Sequence, residues 1–331
     1  VWFNLKVKNS TGIAKVKVTA NGAGYTTSYE AELDVRNPNP YQTNVKDFYV
    51  EANKTIDGNY TATGITGTNK GVLEISTIPP INLDERLHYL ISYPHGCIEQ
   101  TTSQVFAQLY LPEIMDLTSA QKTEIDLNIK AGINEIRKFQ TGVGGFSYWQ
   151  GTADVQDWAT SYAGHFLILA EKKGYTLPSG LKSKWLKFMQ TTANDFDIQK
   201  NNFNRFDELQ AYRLYVLALS GNASVGAMNR LREFKTLGNN SKWLLASAYA
   251  LIGQINEAEK LIASTKKQTG YYTYDYNTFG SSDRDEALIL NALCGLNKKQ
   301  QAFIQVKKVA GFLASKKWLS TQTTAYGLVA I

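Results

Sequence analysis

The chain changes its hydrophobic period once, at Pro79-Pro80, and that change limits it to two unlike structural parts. Before the prolines, apolar residues alternate. Lys6-Val7-Lys8, Ala14-Lys-Val-Lys-Val18 and Glu30-Ala-Glu-Leu-Asp-Val35 put every second side chain on one face, as half-buried strands do. Asn37-Pro38-Asn39-Pro40 interrupts this run as a turn, and further β segments are predicted through Phe48-Tyr-Val50 and Val72-Leu-Glu-Ile-Ser76. After the prolines, apolar residues recur every three or four positions, with turn residues at short intervals. Twelve helices are predicted, over 83–92, 97–114, 119–140, 155–173, 179–194, 206–219, 222–236, 241–252, 254–267, 283–296, 299–314 and 321–331. Short connections containing Gly, Pro or Asn favour antiparallel neighbours. Twelve helices in hairpin order suit an α6/α6 toroid, six inner and six outer; a superhelical stack competes, but no fixed-period repeat supports it. The expected fold class is mainly α, preceded by β segments.

The β part has too few strands to close a sandwich. The sequence opens in a predicted strand and stops in a predicted helix without a stop signal, so a piece of a longer polypeptide is expected. The net charge of +6, from 35 basic and 29 acidic residues, is spread over lysine pairs near helix ends. No basic stripe interleaves with aromatics, so nucleic acid is not an expected partner. No apolar run approaches the roughly 18–20 residues of a membrane-spanning helix. His88, His95 and His165 fit no zinc spacing, and neither metal nor cofactor is expected. Two cysteines make no disulfide framework.

Those cysteines occupy different settings. Cys294 lies in Ala287-Leu-Ile-Leu-Asn-Ala-Leu-Cys-Gly-Leu296, where a buried thiol acting as a small hydrophobe is expected. Cys97 follows the turn signal Pro94-His95-Gly96 and opens a polar helix. On that helix Cys97 and Gln100 are three positions apart and face one side. The spacing brings a thiolate close to a γ-carboxamide, and attack with loss of ammonia would leave an internal thioester. Such a bond is an activated acyl group, because a thiolate leaves more readily than an amine or alkoxide. The helix N-terminus supports negative charge developing at Cys97, and Gly96 lets the chain turn tightly. A C-x-x-Q pair alone heavily favours the plainer reading, an ordinary helix-start cysteine beside a surface amide.

The surrounding residues carry more. Tyr93-Pro-His-Gly-Cys-Ile-Glu-Gln100 resembles the thioester signature of the α2-macroglobulin and complement family. Gly142-Val-Gly-Gly-Phe-Ser-Tyr-Trp149, Asp157-Trp-Ala-Thr-Ser-Tyr-Ala-Gly-His-Phe166, Trp243-Leu-Leu-Ala-Ser-Ala-Tyr249 and Trp318-Leu-Ser-Thr-Gln-Thr-Thr-Ala-Tyr326 resemble that family's glycine-aromatic and helix segments, especially in its bacterial branch. Ile78-Pro-Pro-Ile-Asn-Leu-Asp-Glu-Arg86 is similar to the bacterial lead-in. The resemblance implies an α/α-toroid thioester domain over residues 80–331. It also implies the end of a macroglobulin-type β-sandwich over 1–38 and the first part of a CUB-like β domain over 39–79. The implied function is a covalent protease trap, in which Gln100 acylates a lysine of the captured protease once, without turnover. The implied partners are target proteases and the remaining domains of the same polypeptide. The implied location is periplasmic or cell-envelope, with any membrane attachment through a lipid anchor outside these residues.

Other residues are weighed beside the pair. Gly96 and Glu99 are supporting candidates, Glu99 being equally explained as a helix-start anion. Tyr93, Phe106, Tyr110, Tyr148, Trp149 and Trp158 are candidates for an aromatic shield around the thioester, core packing being the default. His95 and His165 are candidate modulators; His165 reads more naturally as an interior histidine. Some family members place a catalytic histidine about a hundred residues beyond the thioester. Asn201-Asn-Phe-Asn-Arg-Phe-Asp-Glu208 holds none, which predicts a preference for lysine amines over hydroxyls. Three rival functions are a thioester-domain adhesin, a Cys97-dependent acyltransferase or hydrolase, and a carbohydrate-active toroid. The hydrolase needs a converging His and acid. The last would draw carboxylates from Asp154, Asp157, Asp283, Asp285 and Glu286, although the Asp283–Glu286 group is explained more simply as a helix start.

Overall fold

The computed structural model describes residues 2–7, 11–36, 42–46, 48–51, 53–76, 79, 81, 83, 90–197, 206–266, 271–272 and 274–331. The chain forms two compact units, Val1–Ser76 and Thr77–Ile331. The predicted turn at 37–40, residues 84–89 of the predicted helix 83–92, His88 and the stretch 201–205 lie outside the described residues.

In the first unit, strands β1 (Gly12–Gly22) and β2 (Tyr25–Val35) pair antiparallel, with Gly12 opposite Val35 and Gly22 opposite Tyr25. The two-residue connection Ala23-Gly24 has positive φ at both positions, the turn whose twist matches a hairpin. The predicted strands at Lys6–Lys8, Phe48–Val50 and Val72–Ser76 do not appear as strands among the described residues. Alternation alone does not make a strand: the backbone N–H and C=O groups need a partner, and the only sheet among the described residues is the β1–β2 hairpin. Apolar side chains of this unit stand in solvent, including Tyr25, Tyr29, Leu33, Val72 and Ile75.

The second unit is helical: α1 (Ile98–Gln108), α2 (Leu111–Ile114), α3 (Ser119–Lys138), α4 (Asp157–Lys172), α5 (Leu181–Asp195), α6 (Phe206–Leu219), α7 (Val225–Arg232), α8 (Asn239–Leu251), α9 (Ile255–Ala263), α10 (Ser282–Gly295), α11 (Lys299–Ala314) and α12 (Thr321–Ala330). The predicted helix 97–114 is broken at Leu109-Tyr110, where Pro112 at the start of α2 cannot continue a hydrogen-bonded ladder. The predicted helix 222–236 is shorter at both ends.

The fold is an α/α toroid with six inner and, among the described residues, five outer helices. α1, α4, α6, α8, α10 and α12 pack each on the next, and α12 packs back on α1 to close the inner ring. The outer helices α3, α5, α7, α9 and α11 each lie against inner ones. Burial explains the sorting. α4 is buried on nearly every side, whereas α5 buries only a stripe of Leu181, Trp185, Met189 and Ala193. Two glycines set the layer spacing. A Cβ at Gly164 on α4 would sit 2.1 Å from the Trp185 ring, and one at Gly132 on α3 would sit 2.4 Å from Val105 of α1. The inner helices run parallel, so their N-termini gather at one rim and their C-termini at the opposite mouth.

Candidate functional site

Cys97 and Gln100 meet at the N-terminal rim. Cys97 is the N-cap of α1 and is buried, 2% exposed, while Gln100 at the third helical position is exposed. The Cys97 backbone N–H donates to Gln100 Oε1 at 3.2 Å, folding the carboxamide back onto the cap. Gly96 makes room for that fold. Its φ is +99°, and a Cβ there would stand 2.3 Å from Gln100 Oε1. Chemically, the sulfur sits on the protected side and the acyl carbon on the open side. The carbonyl oxygen of Gln100 rests against a backbone donor at the positive end of a helix, where an oxyanion would be stabilised.

Glu99, beside them, is enclosed rather than fully solvated. It accepts from Ser103 Oγ at 2.7 Å and from Thr321 Oγ1 of α12 at 3.1 Å. Burial pushes its pKa up, and the two hydroxyls draw it part of the way back. Ser103 Oγ is also 3.0 Å from the Tyr162 hydroxyl of α4.

The predicted aromatic shield divides. Tyr148 stands beside the site: its carbonyl accepts from the Ile98 N–H at 3.2 Å, and the nearby Cys97 thiol, then burial, push its phenol pKa up. Trp149 packs edge-on against Tyr148 at 5.2 Å but is half exposed, as is Tyr93. Phe106 and Trp158 are core residues, Phe106 within 5.1–6.4 Å of His165, Tyr162, Phe166 and Tyr326. Tyr110 lies past the far end of α1, roughly 20 Å along the axis at 1.5 Å per residue, and lines the opposite mouth. That position removes Tyr110 from any shield around Cys97.

The histidines point elsewhere. His95 Nδ1 is 2.8 Å from the Tyr93 carbonyl, and its backbone N–H donates to Gln104 Oε1 at 2.9 Å. His165 is buried in the ring interior with Nδ1 3.1 Å from the Tyr212 hydroxyl; burial depresses its pKa to about 3. Cys294 departs from expectation. It is exposed, at the C-terminal end of α10, because the turn following Gly295 opens beside the mouth.

Four of the five carboxylates considered for sugar chemistry pair with cations, Glu286 with Lys308 at 3.0 Å among them. Ser281 caps α10 by accepting from the Arg284 N–H at 3.2 Å. Asp283 pairs with Lys317 at 2.8 Å, Asp157 with Arg213 at 2.9 Å, and Asp285 with Arg284 at 2.8 Å. Arg284 is completely buried, lies 3.1 Å from Glu208 and sits over the Trp158 ring at 4.8 Å.

Several rim residues had no sequence motif. Arg284 donates to Thr278 Oγ1 at 3.2 Å, and Asp285 accepts from the Tyr272 hydroxyl, so a buried ion cluster anchors the 271–281 connection. From that connection Phe279 stacks on Tyr148 with centroids 5.8 Å apart, and Tyr274 is close enough to feel the charges of Glu99 and Cys97. The available signal was the density of tyrosines in Tyr271–Tyr276, of which Tyr271, Tyr274 and Tyr276 nonetheless stand exposed.

The A-macroglobulin TED domain family matches residues 73–330. The chain belongs to that family. It is 28% identical to an Alpha-2-macroglobulin of Escherichia coli (strain K12) over 77% of this chain and 16% of that protein. It is 26% identical to an Alpha-2-macroglobulin of Xylella fastidiosa (strain Temecula1) over 97% of this chain and 21% of that protein. The chain thus spans about a fifth or less of these relatives' length. Among solved structures, native alpha-2-macroglobulin from Escherichia coli, from domain MG7 to the C-terminus, matches with a TM-score of 0.64 and 25% identity, covering 77% of this chain and 42% of that one. Salmonella alpha-2-macroglobulin reacted with methylamine shares the fold, with a TM-score of 0.64 over 97% of this chain and 22% of that one.

Proposed function

We propose that this TED domain carries an internal thioester between Cys97 and Gln100, and that it serves as the covalent arm of a macroglobulin-type protease trap. The observation that carries the reading is the folded-back Gln100, its carbonyl oxygen held 3.2 Å from the Cys97 N–H over a glycine that leaves room for it. Formation joins Cys97 sulfur to the Gln100 acyl carbon and releases ammonia. Opening by a lysine amine forms an amide at Gln100 and frees the Cys97 thiol. The step consumes the protein once, so the role is inhibition and not turnover.

Protease capture as the setting draws support from the structural likeness to Escherichia coli alpha-2-macroglobulin activated by porcine elastase, with a TM-score of 0.61 and 25% identity over 77% of this chain and 24% of that one. The exposed apolar residues of the β1–β2 hairpin support a larger β assembly around it, since a lone hairpin is marginal in water. We assign residues 1–38 to the end of a macroglobulin-type sandwich and 39–79 to the first part of a CUB-like domain. A periplasmic or cell-envelope location goes with this reading. Among the described residues no histidine hydrogen-bonds to the pair, which supports amine-directed rather than hydroxyl-directed transfer.

Intact-mass measurement of freshly prepared chain should show a deficit of one ammonia. Methylamine should then add one equivalent and raise the free thiols from one, at Cys294, to two. A chain of full mass that is inert to methylamine sinks the thioester.

A further inference from the structure

At the mouth opposite Cys97, the ends of the inner helices surround a cavity of about 250 Å³. Its lining is sorted by depth. His165 of α4, Tyr215 of α6, Ser247 of α8 and Asn291 of α10 come from successive inner helices and form a polar floor. Four positions further along the same helices stand Leu169, Leu219, Leu251 and Gly295. That spacing puts them on the same helix faces, one turn nearer the mouth. Three leucines thus form an apolar collar over the floor. A Cβ at Gly295 would meet nothing, so the collar is open on that side, where Cys294 stands exposed.

The floor is buried without being fully committed. His165, Tyr215 and Ser247 are 3%, 5% and 7% exposed. His165 Nδ1 lies 3.1 Å from the Tyr212 hydroxyl, and Ser247 Oγ donates to the Trp243 carbonyl at 3.0 Å. Asn291 Nδ2 donates to the Tyr215 hydroxyl at 2.9 Å. Among the described residues this leaves the Tyr215 O–H as a donor and Asn291 Oδ1 as an acceptor, held together by their shared bond. A donor beside an acceptor matches one hydroxyl group, which takes one hydrogen bond and gives another.

The lining also sets charge and size. Among the described residues that line the cavity none is Asp, Glu, Lys or Arg, and burial, then Lys172, depress the His165 pKa to about 3 and keep it neutral. Lys173, over the Tyr110 ring at 4.3 Å, is already paired with Glu113. An anion would meet the negative ends of the helices, and a cation would find no carboxylate. A cavity of about 150 Å³ suffices for benzene, so this one has room for a ring with a head group.

We infer that the mouth cavity is a binding site for a small uncharged molecule of the phenol class, its hydroxyl on Tyr215 and Asn291 and its ring within the collar of Leu169, Leu219 and Leu251. The site does not depend on the thioester at the opposite rim.

The probe is phenol, and the exposed Cys294 thiol reports on it. Phenol should slow iodoacetamide alkylation of Cys294, read by peptide mass spectrometry against free cysteine in the same solution. It should also raise the melting temperature of the chain by mass action. Toluene keeps the ring without the hydroxyl and should bind about fivefold more weakly, the worth of one neutral hydrogen bond. Benzoate, being charged, should give no protection. In Asn291→Leu, phenol should weaken to the level of toluene. Alkylation of Cys294 at an unchanged rate in saturating phenol overturns the site. Toluene matching phenol in the parent chain removes the role of the floor and overturns the ligand class. Protection that follows protein concentration instead of phenol would make the mouth a contact between copies, and that also overturns it. If Asn291→Leu does not fold, the order of phenol, toluene and benzoate in the parent decides alone.

Discussion

The two ends of the toroid are built from the same six inner helices and hold one cysteine each, yet they offer opposite chemistry. At the N-terminal rim, helix starts present free N–H groups and positive partial charge. There Cys97 is buried, Gln100 is folded back onto the cap, and Glu99 is held by Ser103 and Thr321. At the C-terminal mouth, helix ends present carbonyls around a cavity of about 250 Å³ lined by Tyr110, His165, Tyr215, Asn291 and Cys294. Cys294 stands there exposed, its thiol pKa pushed up by desolvation. Parallel packing of helices thus creates a donor-rich end and an acceptor-rich end before any particular residue is chosen. A thiol that must leave as an anion belongs at the first.

The sharpest way to break this comparison is to remove each sulfur in turn. Cys97→Ala should abolish the ammonia deficit and all methylamine incorporation. Cys294→Ala should retain both and remove only the thiol that is free before methylamine is added. Mass spectrometry of the two variants reads the difference. Incorporation surviving in Cys97→Ala would move the chemistry away from the rim.

Much of this contrast was legible in the residues. Helical periodicity located α3 to α6 and α8 to α12 within a few positions, because the spacing of apolar residues is a local signal. The Cys97–Gln100 spacing located the pair, since three positions on a helix are a local matter. What was not legible depended on distance along the chain. Glu208 and Arg284 are 76 residues apart, and Glu99 and Thr321 are 222 apart. Neither pairing leaves a periodic trace. Cys294 misled because its segment is apolar apart from Asn291, and periodicity does not tell a buried helix from one ending at an open mouth. The predicted strands at 48–50 and 72–76 failed for a related reason: alternation states a preference, and pairing requires a partner.

The two ends also hold buried ionisable groups of opposite sign. His165, ringed by Phe106, Tyr212, Tyr215 and Tyr326 and with Lys172 near enough to repel a proton, titrates at about 3 against an ordinary 6.5. Between those values the unfolded chain binds a proton that the folded chain refuses, so stability falls as pH falls. Moving from pH 7 to pH 5 should cost about 2 kcal/mol through this group, at about 1.4 kcal/mol per unit below 6.5. Urea unfolding of the parent and of His165→Gln at both pH values checks it. The parent should lose that amount relative to the variant, and equal losses would mean that His165 is not the source.

Glu99 gives the smaller and opposite effect. Its carboxyl pKa is raised above the ordinary 4.5 by burial, against the partial pull of Ser103 and Thr321. The folded chain therefore holds this proton more tightly than the unfolded chain. Its stability contribution is fully present below the unfolded value and is lost as pH rises through the folded one. Glu99→Gln keeps the oxygen that accepts from both hydroxyls and never ionises. The variant should match the parent near pH 4 and exceed it slightly in melting temperature near pH 8. A difference that does not vary with pH would return Glu99 to the surface reading. The same variant bears on the site. A neutral Glu99 leaves no second negative charge beside sulfur as the thioester opens, so wherever Glu99 is protonated, Glu99→Gln should open with methylamine at the parental rate. Above the pH at which Glu99 ionises, the parent should fall behind the variant, because its carboxylate then opposes the negative charge that develops on sulfur beside the helix N-terminus.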